Sequence, residues 1–286
     1  MNQYNPQKLS LKDKHQLLLS SIAPRPIGFA SSKNLKGQIN LAPFSYHNAF
    51  SSNPPIIGIS PAYSGRTGNP KNTLLNILET KEFALSVVTY NMVDQMNICS
   101  AEYSSEIDEF KKSGLTKYPA KMISVPGVAE SPIIMECKLL DYIELSKEPA
   151  GGNLILAEIV YFHTKDNIYN ELGEIDPKLV DQVSRLGKNW YSRANQGLFN
   201  LSPPRFIPIG FDNLPKEVKN SNIFSNQQLA RLAFVEKIPP FDKTKKIEKI
   251  YNKKNKNELL KDIANLIDKN KIYEAWQLIH LGVFNE

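Results

Sequence analysis

Residue-by-residue alternation of apolar and polar positions marks the first 200 residues. Glu82–Thr89 (EFALSVVT) alternates, and Ile133–Leu140 sets Ile134, Glu136, Lys138 and Leu140 against Ile133, Met135, Cys137 and Leu139. A period of two belongs to an extended strand with its faces in different surroundings. Apolar runs at Ile27–Ser31, Ile56–Ile59 and Leu154–His163 predict further strands. Ile39–Phe50 follows a turn signal at Asn34–Gly37, and the Pro54–Pro55 pair excludes helix before Ile56. Helical spacing is rarer. In Asn72–Glu79 it places Leu74, Leu75, Ile77 and Leu78 together, with Asn72 or Thr73 able to cap. Asn91–Cys99 and Glu106–Lys112 are shorter candidates, the latter stopped by Gly114. Short strands broken by Gly, Pro and Asn predict an antiparallel barrel or sandwich.

The texture changes after Asn200. Pro203, Pro204, Pro208 and Pro215 predict an irregular segment that wraps the body. Beyond Lys243 the chain is rich in Lys and Asn. In Glu258–Lys269 the residues Leu259, Leu260, Ile263, Leu266 and Ile267 share one helical face. Ile272, Trp276 and Ile279 share another, which Gly282 is expected to close, giving a C-terminal helical hairpin.

Composition narrows the function classes. The chain has 286 residues, 41 % hydrophobic and 22 % charged, enough to bury a core without disulfide staples. Two cysteines, Cys99 and Cys137, make no disulfide framework. The four histidines (His15, His47, His163, His280) are scattered, so no metal site is expected. No window approaches the ~18–20 apolar residues of a membrane span. With no signal peptide apparent at the N-terminus, a cytoplasmic protein that does not enter membranes is expected. The net charge of +6 is uneven: residues 1–200 carry +1 and residues 201–286 carry +5. Any nucleic-acid binding would rest on the tail, where Lys243–Lys271 holds ten lysines against four acids. Those lysines interleave with Ile and Leu, which favours a solvated helical face over a nucleic-acid partner.

Candidate chemistry concentrates between residues 37 and 73. Asn40, Ser45, Asn48, Ser51 and Ser52 are small hydrogen-bonding side chains, interleaved with Phe44, Tyr46 and Phe50. Arg66 and Lys71 precede a predicted helix whose first turn carries unpaired N–H groups, with the Thr73 hydroxyl beside them. That combination suits a phosphate monoester. The two stretches together suit a flat aromatic heterocycle with a phosphate at one end.

Several motifs occur in a recognisable order. They are P-R-P-I (Pro24–Ile27), G-x-x-N-L-A-P-F-S (Gly37–Ser45), S-S-N-P-P (Ser51–Pro55) and K-N-T-L-x-N-I (Lys71–Ile77). M-N-x-x-S-A (Met96–Ala101), D-E-F-x-x-x-G-L-T (Asp108–Thr116) and V-A-E-S-P-x-x-x-E-C (Val128–Cys137) follow. E-I-V-x-x-H (Glu158–His163) and I-D-P-x-x-x-x-x-V-x-R-L-G (Ile175–Gly187) complete the set. Over roughly residues 15–200 this order resembles the flavin reductase-like family, with Asn72 where its members usually carry Asp. Ile209–Ser221 is similar to an extension in a longer subgroup.

The resemblance implies a mainly-β fold, the FMN-binding split β-barrel: an antiparallel Greek-key barrel with a few helices, here with a C-terminal helical extension. The expected divisions are a barrel domain at 1–202, the irregular extension at 203–242 and a basic helical tail at 243–286. It also implies FMN as cofactor. Asn40, Ala42, Pro43, Phe44, Ser45 and Tyr46 would meet the ring and ribityl chain, with Ser51 and Ser52 nearby or reaching in from a partner subunit. Arg66, Lys71, Asn72 and Thr73 would hold the phosphate, and Arg185 and Gly187 would close the pocket near a homodimer interface. A nicotinamide nucleotide is the implied electron donor. No side chain is expected to act as nucleophile or general base, so no catalytic residue is assigned. His47 lies where it either contacts the flavin or simply packs. A flavoredoxin-like electron carrier and a flavin-bearing scaffold with a basic tail are the alternatives.

Overall fold

A computed structural model describes residues 1–242 and 255–283. The chain divides into two compact units, Met1–Leu198 and Phe199–Glu286.

The first unit is built on strands β1 (Arg25–Pro26), β2 (Gly28–Lys33), β3 (Ile39–Phe44), β4 (His47–Ser52), β5 (Pro55–Ile59) and β6 (Glu82–Val87). They are followed by β7 (Lys117–Tyr118), β8 (Gly127–Val128), β9 (Ile133–Glu144), β10 (Asn153–Thr164), β11 (Val183–Arg185) and β12 (Tyr191–Arg193). Its helices are α1 (Leu11–Ser21), α2 (Asn72–Thr80), α3 (Val93–Ile98), α4 (Glu109–Ser113) and α5 (Pro177–Val180).

Seven strands form one antiparallel sheet in the order β3-β2-β6-β9-β10-β5-β4. Strands β3 and β4 stand at opposite ends of that order, yet only Ser45 and Tyr46 separate them in sequence. Three residue steps span at most ~11 Å, whereas seven strands laid flat would set the two edges ~29 Å apart. The sheet must therefore curl until its edges approach, giving a barrel split between β3 and β4. The long β9–β10 pair bends at two register shifts, Leu156/Ala157 and Ile159/Tyr161.

Burial explains the patterns. Strands β2 and β6 are buried on both faces over most of their length, so the alternation in Glu82–Thr89 marks no solvent face, and Ser31, Ser32 and Ser86 are buried with their apolar neighbours. One cluster, with Ala30, Ile57, Ile59, Phe83, Leu85 and Ile155, packs against Leu74 and Ile77 of α2. A second joins Phe29, Leu41, Met92, Met96, Cys99 and Phe110. Both thiols are buried within these clusters, and burial pushes the Cys99 thiol up to about 11, so neither is a reactive thiolate. Helix α4 ends at Gly114, whose φ of +68° supplies the left-handed stop anticipated there.

The second unit holds α6 (Lys216–Lys219), α7 (Asn226–Ala233), α8 (Lys256–Asp268) and α9 (Ile272–Val283). Residues 203–242 are thus not wholly irregular. Leu214, Val218, Leu229 and Leu232 share one core with Ile263, Ile267, Trp276 and Ile279. The Trp276 indole donates to the Leu232 carbonyl at 3.2 Å, and buried Gln277 binds both Pro240 and Asp242 main chain. Gly282 does not close α9 but lies within it, where a Cβ would come 2.2 Å from the Leu259 side chain. The glycine lets Leu259 pack close against the helix. The basic run from Lys243 to Lys254 lies outside the described residues.

Ser225 opens α7 with a capping box, accepting from Gln228 N while Gln228 caps the Ser225 N–H in return. Ser225→Ala is expected to lower the stability of this unit by about 1 kcal/mol. Denaturant unfolding of the whole chain, followed in its Trp276 environment, reads that loss.

Candidate functional site

Helix α2 starts without a side-chain cap. Lys71, its N-cap residue, is extended, and no side chain accepts from the first turn. The helix therefore presents first-turn N–H groups and the positive end of its dipole to whatever lies in front. Thr73 is 1 % exposed, and its Oγ1 accepts from Asn40 Nδ2 at 2.8 Å. That bond uses an oxygen lone pair and leaves the hydroxyl proton available. The side chain of Asn72 donates to the Tyr103 carbonyl at 3.2 Å, a bond an aspartate could not make, and so ties the segment after α3 to the first turn of α2.

Two cations stand at this helix end. Lys71 Nζ lies 2.5 Å from Glu102 Oε1, and Arg66 Nη2 lies 3.0 Å from Glu102 Oε2. Hydrogen bonds from Lys71, Arg66 and Ser64 hold the Glu102 carboxyl down at about 2. A second carboxylate, Glu109 of α4, is buried and accepts from Leu41 N at 3.0 Å, covering part of the open edge of β3. Burial pushes the Glu109 carboxyl up, against the opposing bond from Leu41.

These groups enclose a cavity of about 110 Å³. Asn40, Ala42, Pro43, Phe44, Lys71, Asn72 and Thr73 line it, together with Cys99, Ser100, Ala101, Glu102, Tyr103 and Glu109. Pockets for complete small molecules run to roughly 300–1,000 Å³, so this cavity of about 110 Å³ is smaller than a site for a whole cofactor.

The other anticipated residues lie elsewhere. Arg66 reaches the cavity through Glu102 rather than lining it. Ser45 Oγ faces Arg25 Nε at 3.4 Å, and half-buried Tyr46 follows it. Ser51 and Ser52 line a separate cavity of about 570 Å³ with His47, Ile57 and Phe162. His47 Nδ1 sits 3.3 Å from the Gly58 carbonyl, and burial lowers its pKa, which favours the neutral ring. Arg185 lines a third cavity, about 690 Å³, where its guanidinium lies 4.4 Å from the Tyr191 ring centroid. Gly187 lines none of the three and packs on Ser20, whose Oγ would be 2.6 Å from an added Cβ.

Arg25 was not anticipated. Its guanidinium donates to the carbonyls of Leu19, Ile22 and Leu186 as well as facing Ser45. It thereby joins the Arg185–Gly187 segment to the β3–β4 connection. Glu102, Glu109 and the residues from Cys99 to Ala101 were also missed, although most sit inside or beside the M-N-x-x-S-A and D-E-F motifs. Among the described residues no cluster of His, Cys, Asp or Glu could hold a metal ion, and no helix is long and apolar enough to cross a membrane.

Comparison with known proteins matches residues 20–185 to the flavin reductase like domain. The chain belongs to the flavin reductase-like family. Among its relatives, an uncharacterized protein of Halalkalibacterium halodurans is 38 % identical over 205 residues, covering 70 % of this chain and 95 % of the relative. The crystal structure of nitrilotriacetate monooxygenase component B from Bacillus cereus superposes with a TM-score of 0.66 at 32 % identity, over 70 % of this chain and 98 % of that one. The 2-nitrobenzoate 2-nitroreductase NbaA of Pseudomonas fluorescens gives 0.64 at 28 % identity, over 72 % and 98 %. The split barrel deduced from strand order is thus the fold of this flavin reductase-like chain, and its second unit lies outside the matched domain.

Proposed function

We propose that this protein is an FMN-dependent oxidoreductase that takes reducing equivalents from NADH or NADPH and passes them to a further acceptor. The observation that carries this reading is the uncapped start of α2, where Lys71, Arg66 and the Thr73 hydroxyl meet the β3 edge. The donor set fits a phosphate monoester, and the family fits a flavin.

Lys71 and Arg66 would neutralise the phosphate, while Thr73 and the first-turn N–H groups of α2 would donate to its oxygens. Asn40 donates to the Thr73 oxygen and so leaves its proton free to be given to a ligand. Main chain of Ala42, Pro43 and Phe44 on the edge strand, and the Ser45 hydroxyl, would lie along the ribityl chain and ring. Edge position matters here, because β3 pairs with β2 on one side only, and the backbone groups beyond the one bonded to Glu109 are open to a ligand. When bound, FMN supplies the redox chemistry, accepting hydride and returning electrons. The chain's part is to bind, orient and leave one ring face open, and no side chain need act as nucleophile or base. The homodimer belongs to the same reading. It is supported by α1, which buries no residue and exposes Leu11 and Leu18. Light scattering of the purified protein checks it.

The purified protein is expected to show, or acquire on adding FMN, flavin absorption between about 350 and 500 nm that bleaches anaerobically with NADH or NADPH. Flavin that stays oxidised with both would replace the nicotinamide-dependent reading with an electron carrier. Failure to take up FMN would remove the flavin reading altogether.

A further inference from the structure

Glu102 occupies an unexpected place. Its carboxylate receives Lys71 Nζ at 2.5 Å and Arg66 Nη2 at 3.0 Å, the two cations the phosphate would need. It lines the same cavity as Thr73 and the start of α2. Asn72, through the Tyr103 carbonyl, holds the adjoining residue against the helix. Ser64 also bonds this carboxylate and accepts from Arg66 N and Thr67 N, so the loop that carries Arg66 is organised around it. Two cations and a hydroxyl converging on two oxygens form the donor set of a phosphate, satisfied here by a side chain of the protein itself.

Resting on the FMN reading, we propose that Glu102 is a built-in competitor for the cofactor phosphate. It holds Lys71 and Arg66 paired in the absence of FMN and must give them up when the phosphate enters. Charge makes the exchange directional. One carboxylate against two cations leaves the cluster at +1, and a dianionic phosphate monoester neutralises the pair where Glu102 cannot. Phosphate and Glu102 cannot share the cations comfortably, since their like charges would lie within a few ångströms. Glu102 stays ionised near neutral pH, because its partners hold the carboxyl at about 2. The competition is therefore a fixed setting of affinity rather than a pH switch. Riboflavin, which lacks the phosphate, does not displace Glu102, so the competition acts on FMN alone.

The test is titration of FMN and of riboflavin, followed by flavin fluorescence, into the full-length protein and into Glu102→Gln. Gln keeps the shape and removes the charge, and the side chain is part-exposed, so the fold is retained. FMN is expected to bind Glu102→Gln about tenfold more tightly, the scale of two part-exposed ion pairs. Riboflavin should bind the two proteins alike. Equal or weaker FMN binding by the variant would overturn the proposal and make Glu102 a strut that positions the two cations. An equal gain for both flavins would overturn it as well, because the effect would not lie at the phosphate. Wild type and Glu102→Gln that both bind FMN and riboflavin equally would sink the competitor while leaving a flavin site standing. Wild-type protein that binds neither would remove the flavin reading and the competitor with it.

Discussion

Replacing Lys71 and Thr73 together by alanine weakens FMN binding roughly 100-fold, while riboflavin binding changes little. Hydrogen bonds to charged groups contribute about 1.5–3 kcal/mol each. Lys71 is about one-third exposed and already paired with Glu102, so the lower end applies to it. Two such bonds at the lower end give about 3 kcal/mol, or roughly two factors of ten. Loss of Lys71 also leaves Glu102 facing the incoming phosphate with Arg66 alone to offset it. Thr73→Ser separates binding from folding, because it keeps the hydroxyl that accepts from Asn40 and donates outward. The serine variant should bind FMN nearly as wild type does. Equilibrium titration decides: unchanged FMN affinity in the double variant would take the phosphate away from this end of α2.

The sequence was legible where a signal is local. Lys71, Thr73 and the apolar face of α2 stand within one helical turn of each other, so spacing alone brought them together. Asn40 is 33 residues away in sequence, and the ordered motifs pointed to it before the Asn40–Thr73 bond showed why it matters. Glu102 carried no such signal. An acid between Ala101 and Tyr103 reads as a solvated charge until the chain returns it to Arg66 and Lys71, 36 and 31 residues back. Arg25 is similar: its partners Leu19, Ser45 and Leu186 share no periodicity with it. Conversely, Ser51 and Ser52 stand close to the site in sequence but line a different cavity of their own chain, which leaves reach from a partner subunit as their route to the cofactor.

The tail shows the same division. The helical faces of α8 and α9 were read from spacing, because each buries a stripe of its own. The prolines between 203 and 215 suggested irregularity throughout the segment that follows, but α6 and α7 form beyond them and bury Val218, Leu229 and Leu232. Gly282, one residue before the last of α9, has a second role. Glycine is both a helix stop and the residue that lets two helices touch, and only the packing of Leu259 against it distinguishes the two.

Glu136→Ala is expected to cost the barrel unit about 3–5 kcal/mol, because it leaves several buried donors unpaired at about 1–3 kcal/mol each. Glu136 is fully buried on β9, with its Oε1 2.6 Å from His163 Nε2 on β10. The same carboxylate accepts from the backbone N–H groups of Lys121, Met122 and Ile123, at 2.7, 2.6 and 3.1 Å. It therefore fastens the loop before β8 onto the sheet, and alanine would strand three donors and a histidine at once. Burial alone would raise its pKa, but the bonds from His163, Lys121 and Met122 outweigh it and hold the carboxyl below the usual range. A depressed carboxylate stabilises the fold above its unfolded pKa of about 4.3 and loses that contribution as pH falls through the lower folded value. Wild type should thus exceed Glu136→Gln in stability at neutral pH, and the gap should close on acidification below about pH 4. Calorimetry of the full chain measures both effects, with a midpoint drop for Glu136→Ala on the order of 10 °C in a unit of this size. A variant that melts with wild type at pH 7 would mean the three N–H groups find other acceptors, and that the loop before β8 is not held by Glu136.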